Sequence, residues 1–322
     1  MKRETFFLNA FPPRDRRESS SPATDRERIR KEAVSGKFEH TLFTVGTKRL
    51  DPFILGQSTM EGTPELSPLF AVNPAHQHPM VIAKNLGTLS QLYPNKLAVN
   101  LIPGSFFREH KALNDEASST ERTARLLDFT LALRALVQSS KPVYHKGEYY
   151  PMNGVELGSP VKGDIQYFIS GNLYEELKDF SDTWFVRSLR PLSDIKTLPP
   201  RSGFLAGICA RKTTEEARKA VAEIFPEDEF GKRMHEMSMG NDLTPWNRFL
   251  KDYSARNPDD YEFYLKPLES FLSPAPFIVG SYQEVASVLK KYEALGAGFF
   301  ILDYHETDFE HVSEVISCFR KT

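Results

Sequence analysis

The chain has 322 residues, 40% of them hydrophobic and 26% charged, with a formal net charge of -2. That is length enough for one large barrel or two smaller domains, at the ordinary balance of a globular protein. With no basic stripe and no apolar run near the ~20 residues that span a bilayer, neither a nucleic-acid nor a membrane partner is expected.

Met1–Phe7 carries basic residues without the apolar stretch of a secretory signal. Two cysteines, Cys209 and Cys318, are too few for a disulfide framework or a Cys-rich metal site. A cytoplasmic location is the resulting expectation.

Eight short β-rich runs, mostly separated by helical patterns, then follow along the chain. The first is Thr5–Phe11, and the polar stretch Arg14–Arg30 reads as a loop leading into a short helix that ends near Val34. The second, His40–Val45, precedes Asp51–Leu66, whose Gly, Ser, Thr and Pro leave its helix poorly specified. Ser67–Asn73 is the third. Pro79 then starts a helix with Val81, Ile82, Leu86, Leu89 and Leu92 at helical spacing. Leu97–Pro103, the fourth, is a continuous buried-strand pattern broken only by Asn100. A helix over Glu121–Val137 comes next, followed by the fifth and sixth runs, Asp164–Ser170 and Thr183–Ser188.

The seventh run, Ser202–Arg211, contains Cys209, read as a small core residue. Thr213 and Glu216 form a capping box ahead of Ala217, Ala220, Val221 and Ile224. Phe225–Pro276 fits no strand and carries Met234, Met237, Met239 and Trp246. Residues 226–276 are read as an active-site lid or a helical insertion packed outside the main body, and both readings stay open. Ser281 and Glu284 repeat the capping box before Val285, Val288, Leu289, Tyr292 and Leu295, and Gly296 stops that helix. Gly298–Asp303 is the eighth run. Eight such units close an α/β (β/α)8 TIM barrel, here one domain over 1–322 with an insertion before the last βα unit. In such barrels chemistry sits at the C-terminal ends of the strands.

Several polar residues fall at those ends. Buried Asn100 needs hydrogen-bond partners, either neighbouring backbone or a polar ligand. Ser170-Gly171-Asn172 closes a strand and opens a helical segment, so its backbone N–H groups could take an anion, though the triplet is also an ordinary turn. His76 and His78 have a spacing compatible with metal, but no carboxylate or Cys cluster accompanies them, and no metal is expected. His78 is placed to cap the Pro79 helix.

The third and fourth units carry a resemblance. Asn73-Pro74-Ala75-His76-Gln77-His78-Pro79 with its helix through Leu89, Asn100-Leu101-Ile102-Pro103-Gly104-Ser105, and Arg108-Glu109-His110-Lys111-Ala112-Leu113 resemble the luciferase-like, flavin-dependent monooxygenases, nearest the alkanesulfonate monooxygenase branch. Gly147-Glu148-Tyr149-Tyr150, Tyr167–Asn172, Phe277–Ser281 and Tyr292–Gly296 with Phe299–Leu302 continue the match in order.

The resemblance implies a barrel acting as a two-component monooxygenase. Reduced FMN (FMNH2) would come from a separate NAD(P)H-dependent flavin reductase, and one oxygen atom of O2 would enter a small organic substrate. It places cofactor contacts at Asn73, Asn100, Gly104, Ser105, Ser170, Gly171 and Asn172, with the phosphate at the last three. His76, His110 and Tyr304 become candidate catalytic residues, although His110 is equally a loop brace and Tyr304 a rim aromatic. Arg122 and Arg125 could neutralise phosphate, but Thr123 stands where relatives have Tyr. A homodimer is implied as well.

Other departures bear on substrate. Leu205 and Gly207 occupy positions where sulfonate-oxidising relatives carry Arg and His, no reactive Cys stands near Arg49–Asp51, and Pro274-Ala275-Pro276 replaces an Arg-bearing loop. Without those cations a sulfonate is not the expected substrate. Phe106, Phe107, Trp184 and the Met-rich excursion point to a larger, less charged molecule, such as a biosynthetic intermediate. The alternatives are a flavin-binding protein without turnover and a deazaflavin-dependent oxidoreductase on the same barrel.

Overall fold

The structure, a computed structural model, describes residues 4–11, 21–47, 49–104, 107–226, 228–239, 245–270 and 272–322. From the N-terminus run β1 (Phe6–Phe11), α1 (Pro22–Val34), β2 (His40–Phe43), α2 (Pro52–Met60), β3 (Pro68–Val72), α3 (Pro79–Leu92) and β4 (Ala98–Leu101). Next come α4 (Phe107–Ala112), α5 (Ser119–Gln138), β5 (Val143–His145), β6 (Met152–Val155), β7 (Gln166–Ser170), α6 (Tyr174–Leu177) and β8 (Thr183–Ser188). The remainder is β9 (Ser202–Arg211), α7 (Thr214–Ile224), α8 (Glu229–Met239), α9 (Pro245–Arg256), α10 (Lys266–Glu269), β10 (Phe277–Ser281), α11 (Tyr282–Ala294), β11 (Phe299–Asp303) and α12 (Phe309–Lys321). Each of the eight expected runs contains one strand: β1 to β4, β7 to β9, and β11.

The chain divides into two units, one holding β1 and the chain from Arg187 to Thr322, the other most of the chain from Ser21 to Val186. In the first, the parallel order is β10-β9-β11-β1. Its core is aromatic: Phe7 meets Phe319 of α12 edge-on at 5.1 Å, and Phe204 meets Tyr292 of α11 at 5.2 Å. Those rings join strand to helix, as the spacing of Tyr292 on its apolar stripe requires. Cys209 is buried in β9 among Ala217, Val221 and Phe277, and burial pushes its thiol up to about 12. It is the inert core residue expected.

In the second unit, β2, β3, β4, β7 and β8 pair in parallel in that order. Every residue of β2, β3 and β4 is buried, which explains their continuous apolar runs. Trp184 is buried in β8 and stacks on Phe168. Arg134 of α5 lies over the rings of Tyr167 and Phe180 at 4.5 and 3.9 Å and pairs with Asp182, fastening that helix to β7 and the β8 approach.

Three local expectations change. Residues 22–30 belong to α1, because Ser21 accepts the N–H of Thr24 and Pro22 occupies the first turn; residues 12–20 lie outside the described residues. The poorly specified segment forms α2, capped by Asp51, which accepts from the N–H groups of Phe53 and Ile54. The excursion after α7 holds α8, α9 and α10, and a short parallel strand, β10, follows it beside β9. Among the described residues, no helix is long and apolar enough to cross a membrane.

Candidate active site

The second unit gathers most of the expected site residues at the C-terminal ends of three adjacent strands. Asn73 follows β3, Asn100 lies in β4, and Ser170 ends β7. Asn100 is buried, and its Oδ1 accepts a hydrogen bond of 3.0 Å from the Ser170 hydroxyl. The pairing register sets Asn100 beside Phe168, two residues from Ser170. Gly171 and Asn172 are exposed beyond it. The helix they were expected to open, α6, is one turn long with no side-chain cap, so little helix dipole is aimed at this turn.

Asn73 is 2% exposed, and its Oδ1 accepts the N–H of Ala75, which leaves the amide Nδ2 as its outward face. Gly104 has a φ of +78°, and a Cβ there would lie 2.8 Å from both Asn73 Nδ2 and His110 Nε2. Only glycine allows this backbone to pass between the amide and the imidazole. Ser105, the neighbouring candidate, lies outside the described residues, as does Phe106, and the side chain of Phe107 is likewise undescribed.

His110 is 4% exposed, and its Nδ1 lies 2.9 Å from Asp115 Oδ2. Asp115 in turn receives both ends of the Arg125 guanidinium at 3.1 and 2.6 Å. That bidentate pairing, aided by His110, holds the Asp115 carboxyl well below the usual carboxylate range, and Asp115 raises the pKa of Arg125. Arg122 donates to the Ala117 carbonyl at 2.6 Å. Both arginines suggested for phosphate are thus engaged within their own segment. Nε2 of His110 is buried with no hydrogen-bond partner among the described residues.

The preceding Glu109 turns the other way: its Oε1 accepts the N–H of Thr47 at 2.6 Å and stands 3.8 Å from His76 Nε2. Glu109 therefore reaches a neighbouring strand loop, while His110 lies beside Asn73. His78 caps α3, its Nδ1 accepting the N–H of Met80. Asp128 of α5, which the sequence reading passed over, organises the Gly147–Tyr150 turn. Burial raises its pKa, but His145 and the N–H groups of Tyr149 and Tyr150 outweigh that and lower it. Tyr150 then donates to the Pro74 carbonyl at 2.9 Å, bracing the loop that carries His76.

In the first unit, Tyr304 is buried just after β11, and the preceding Asp303 accepts a 2.6 Å hydrogen bond from Ser273. Gly207 of β9 faces Phe277 of β10, its register partner, and any Cβ there would run into that ring. A histidine side chain at position 207 has no room here.

Residues 1–169 match the family model described as luciferase-like monooxygenase. The chain belongs to that family. It is 28% identical over 283 residues to the 4-(gamma-L-glutamylamino)butanoyl-[BtrI acyl-carrier protein] monooxygenase BtrO of Niallia circulans, covering 83% of this chain and 82% of the relative. An FMNH2-dependent dimethylsulfone monooxygenase of Pseudomonas putida is 26% identical over 218 residues, 58% of each chain. Among solved structures, the EDTA monooxygenase EmoA of Chelativorans sp. BNC1 superposes with a TM-score of 0.74 at 13% identity, covering 99% of this chain and 94% of that one. The fold is the (β/α)8 barrel, and the protein is a flavin-dependent monooxygenase.

The residues present fit a flavin. Two buried side-chain amides, a glycine whose Cβ would fill the gap between amide and imidazole, and an unpartnered buried ring nitrogen suit a flat group edged with donors and acceptors.

Proposed function

We propose that this protein is the oxygenase of a two-component system, taking FMNH2 from a separate NAD(P)H-dependent flavin reductase and inserting one oxygen atom of O2 into a small organic molecule. The observation that carries it is the set of polar side chains on three neighbouring strand ends: the Asn100–Ser170 pair on β4 and β7, and Asn73 and His110 about Gly104. In a barrel of this kind, those ends are where chemistry is housed.

Asn73, Asn100 and Gly104, with the Ser170-Gly171-Asn172 turn, would hold the flavin; Ser105 joins them by its place in the motif. When bound, the reduced flavin supplies the electrons that activate O2. The protein's own part is to bind and orient the ring, keep water away and present polar groups to it. His76 and His110, and Tyr304 on the other unit, are the candidates for moving a proton during turnover.

The substrate is an organic molecule other than a sulfonate, because Leu205 and Gly207 supply no cation and Phe277 fills the space at 207. A biosynthetic intermediate agrees with the BtrO relative, which by its name acts on a carrier-bound acyl group. Residues 226–276 are a lid or a helical insertion within a single barrel domain. The protein works in the cytoplasm as a homodimer, for which α2 and α3 offer exposed Ile54 and Leu92.

Stopped-flow mixing of the protein with photoreduced FMN and aerated buffer tests the core of this reading. Flavin oxidation should slow and pass through a spectrum belonging to neither free FMNH2 nor FMN. Oxidation as fast as that of free FMNH2 refutes it. Tight binding of oxidised FMN without such a spectrum indicates a flavin-binding protein without turnover, and reduction of a deazaflavin by substrate without O2 uptake indicates hydride transfer.

A further inference from the structure

We infer that Asp115 and Arg125 are positioning residues that lock His110 with its proton on Nδ1, making the Nε2 lone pair the acceptor for an N–H or O–H group of the bound flavin. This rests on the flavin reading above and extends it to residues that reading does not use.

The chain of contacts is directional. An ionised carboxylate only accepts hydrogen bonds, so the 2.9 Å contact between Asp115 Oδ2 and His110 Nδ1 requires the proton to sit on Nδ1. Arg125 grips both oxygens of Asp115, so the carboxylate cannot swing away, and its lowered pKa keeps it ionised at neutral pH. The Ala117 N–H contributes a further contact of 3.4 Å to Asp115. With the ring fixed at one edge, Nε2 is left at the other without a partner among the described residues. Leaving a buried acceptor unmade is costly unless a ligand completes it.

What lies around that nitrogen indicates the kind of ligand. Asn73 Nδ2 and His110 Nε2 each stand 2.8 Å from the single point where a Gly104 Cβ would be. One is a donor and the other, in this tautomer, an acceptor. A carbonyl next to an N–H, as on the edge of an isoalloxazine, complements such a pair. The opposite tautomer would set two donors against that edge and lose the match. Second-sphere carboxylates fix imidazole tautomers in this way at other ligand sites.

Proton-coupled nitrogen NMR of protein labelled with 15N-histidine reads the tautomer directly, without turnover. In the flavin-free wild type, His110 should show a protonated Nδ1 and a bare Nε2. Asp115→Asn, whose amide can donate, should move the proton to Nε2, whereas Asp115→Glu should keep the wild-type pattern. If Asp115→Asn does not fold, the wild-type pattern with that of Arg125→Lys decides: the lysine variant should show a mixture of tautomers. A wild-type His110 protonated on Nε2, or one unchanged in both Asp115→Asn and Arg125→Lys, overturns the inference.

Titration with FMN supplies the second arm. The Nε2 resonance should shift as the site fills, and Asp115→Asn should weaken FMN binding at least tenfold while Asp115→Glu restores most of it. FMN binding with an unmoved Nε2 sinks the acceptor role and leaves the flavin reading standing. No FMN binding in the wild type sinks the flavin reading and the acceptor role together, although the tautomer result still scores the lock.

Discussion

At Gly207 the absent side chain is a packing requirement. The Phe277 ring occupies the volume a Cβ would enter, and the Gly207 N–H is tied to the Pro276 carbonyl at 2.8 Å, so the strand has no freedom to retreat. Gly207→Ala should therefore destabilise the protein by about 1–3 kcal/mol, the usual range for overpacking a filled core. The urea midpoint measures it, and Phe277→Leu in the same chain should recover part of the loss. An unchanged midpoint for Gly207→Ala would remove the packing argument. Gly104 differs in kind, since its positive φ would strain any other residue even where space could be found.

Among the elements, those with local signals were the legible ones. The capping boxes at Ser118, Thr213 and Ser281 start α5, α7 and α11, and two of the three were visible as short motifs. Ser281→Ala should cost about 1 kcal/mol in a urea titration, with Ser281→Asp retaining most of it, because the hydroxyl accepts the Glu284 N–H. Loss of stability in the aspartate variant equal to that in alanine would point to the strand β10 rather than the cap.

What stayed hidden depends on distant partners. The β5–β6 hairpin encloses Gly147–Tyr150, a turn held by Asp128 from a helix some twenty residues earlier, and no local pattern announces that carboxylate. The strand β10 is five residues long and follows a Pro-rich stretch, which masks it. The site was half visible. Asn100 stood out as the one polar residue in an apolar run, whereas its bond to Ser170 depends on a strand register that sequence does not encode locally. Asp115, five residues after His110, was within reach of inspection, but a loop acid has no periodicity to single it out.

For the molecule as a whole, the clearest electrostatic consequence concerns acid. Asp115, through Arg125, and Asp128, through His145 and two N–H groups, have lowered pKa values in the folded chain. A depressed carboxylate contributes stability that is fully present above its unfolded value, about 3.9, and is lost as pH falls through the folded value. Urea midpoints should therefore fall as the pH drops below about 5. Asp115→Asn and Asp128→Asn should each start lower at pH 7 and decline less steeply. Parallel curves for variants and wild type would show that these carboxylates do not carry the acid response.

The Phe277 ring over Gly207 also constrains history. A lineage or an engineer seeking an imidazole at 207 must shrink the ring first, because the reverse order passes through a chain whose two strands cannot both be accommodated. The two positions are epistatic with a fixed sequence of steps, so an imidazole at 207 is a two-mutation event in which the buried ring is reduced first.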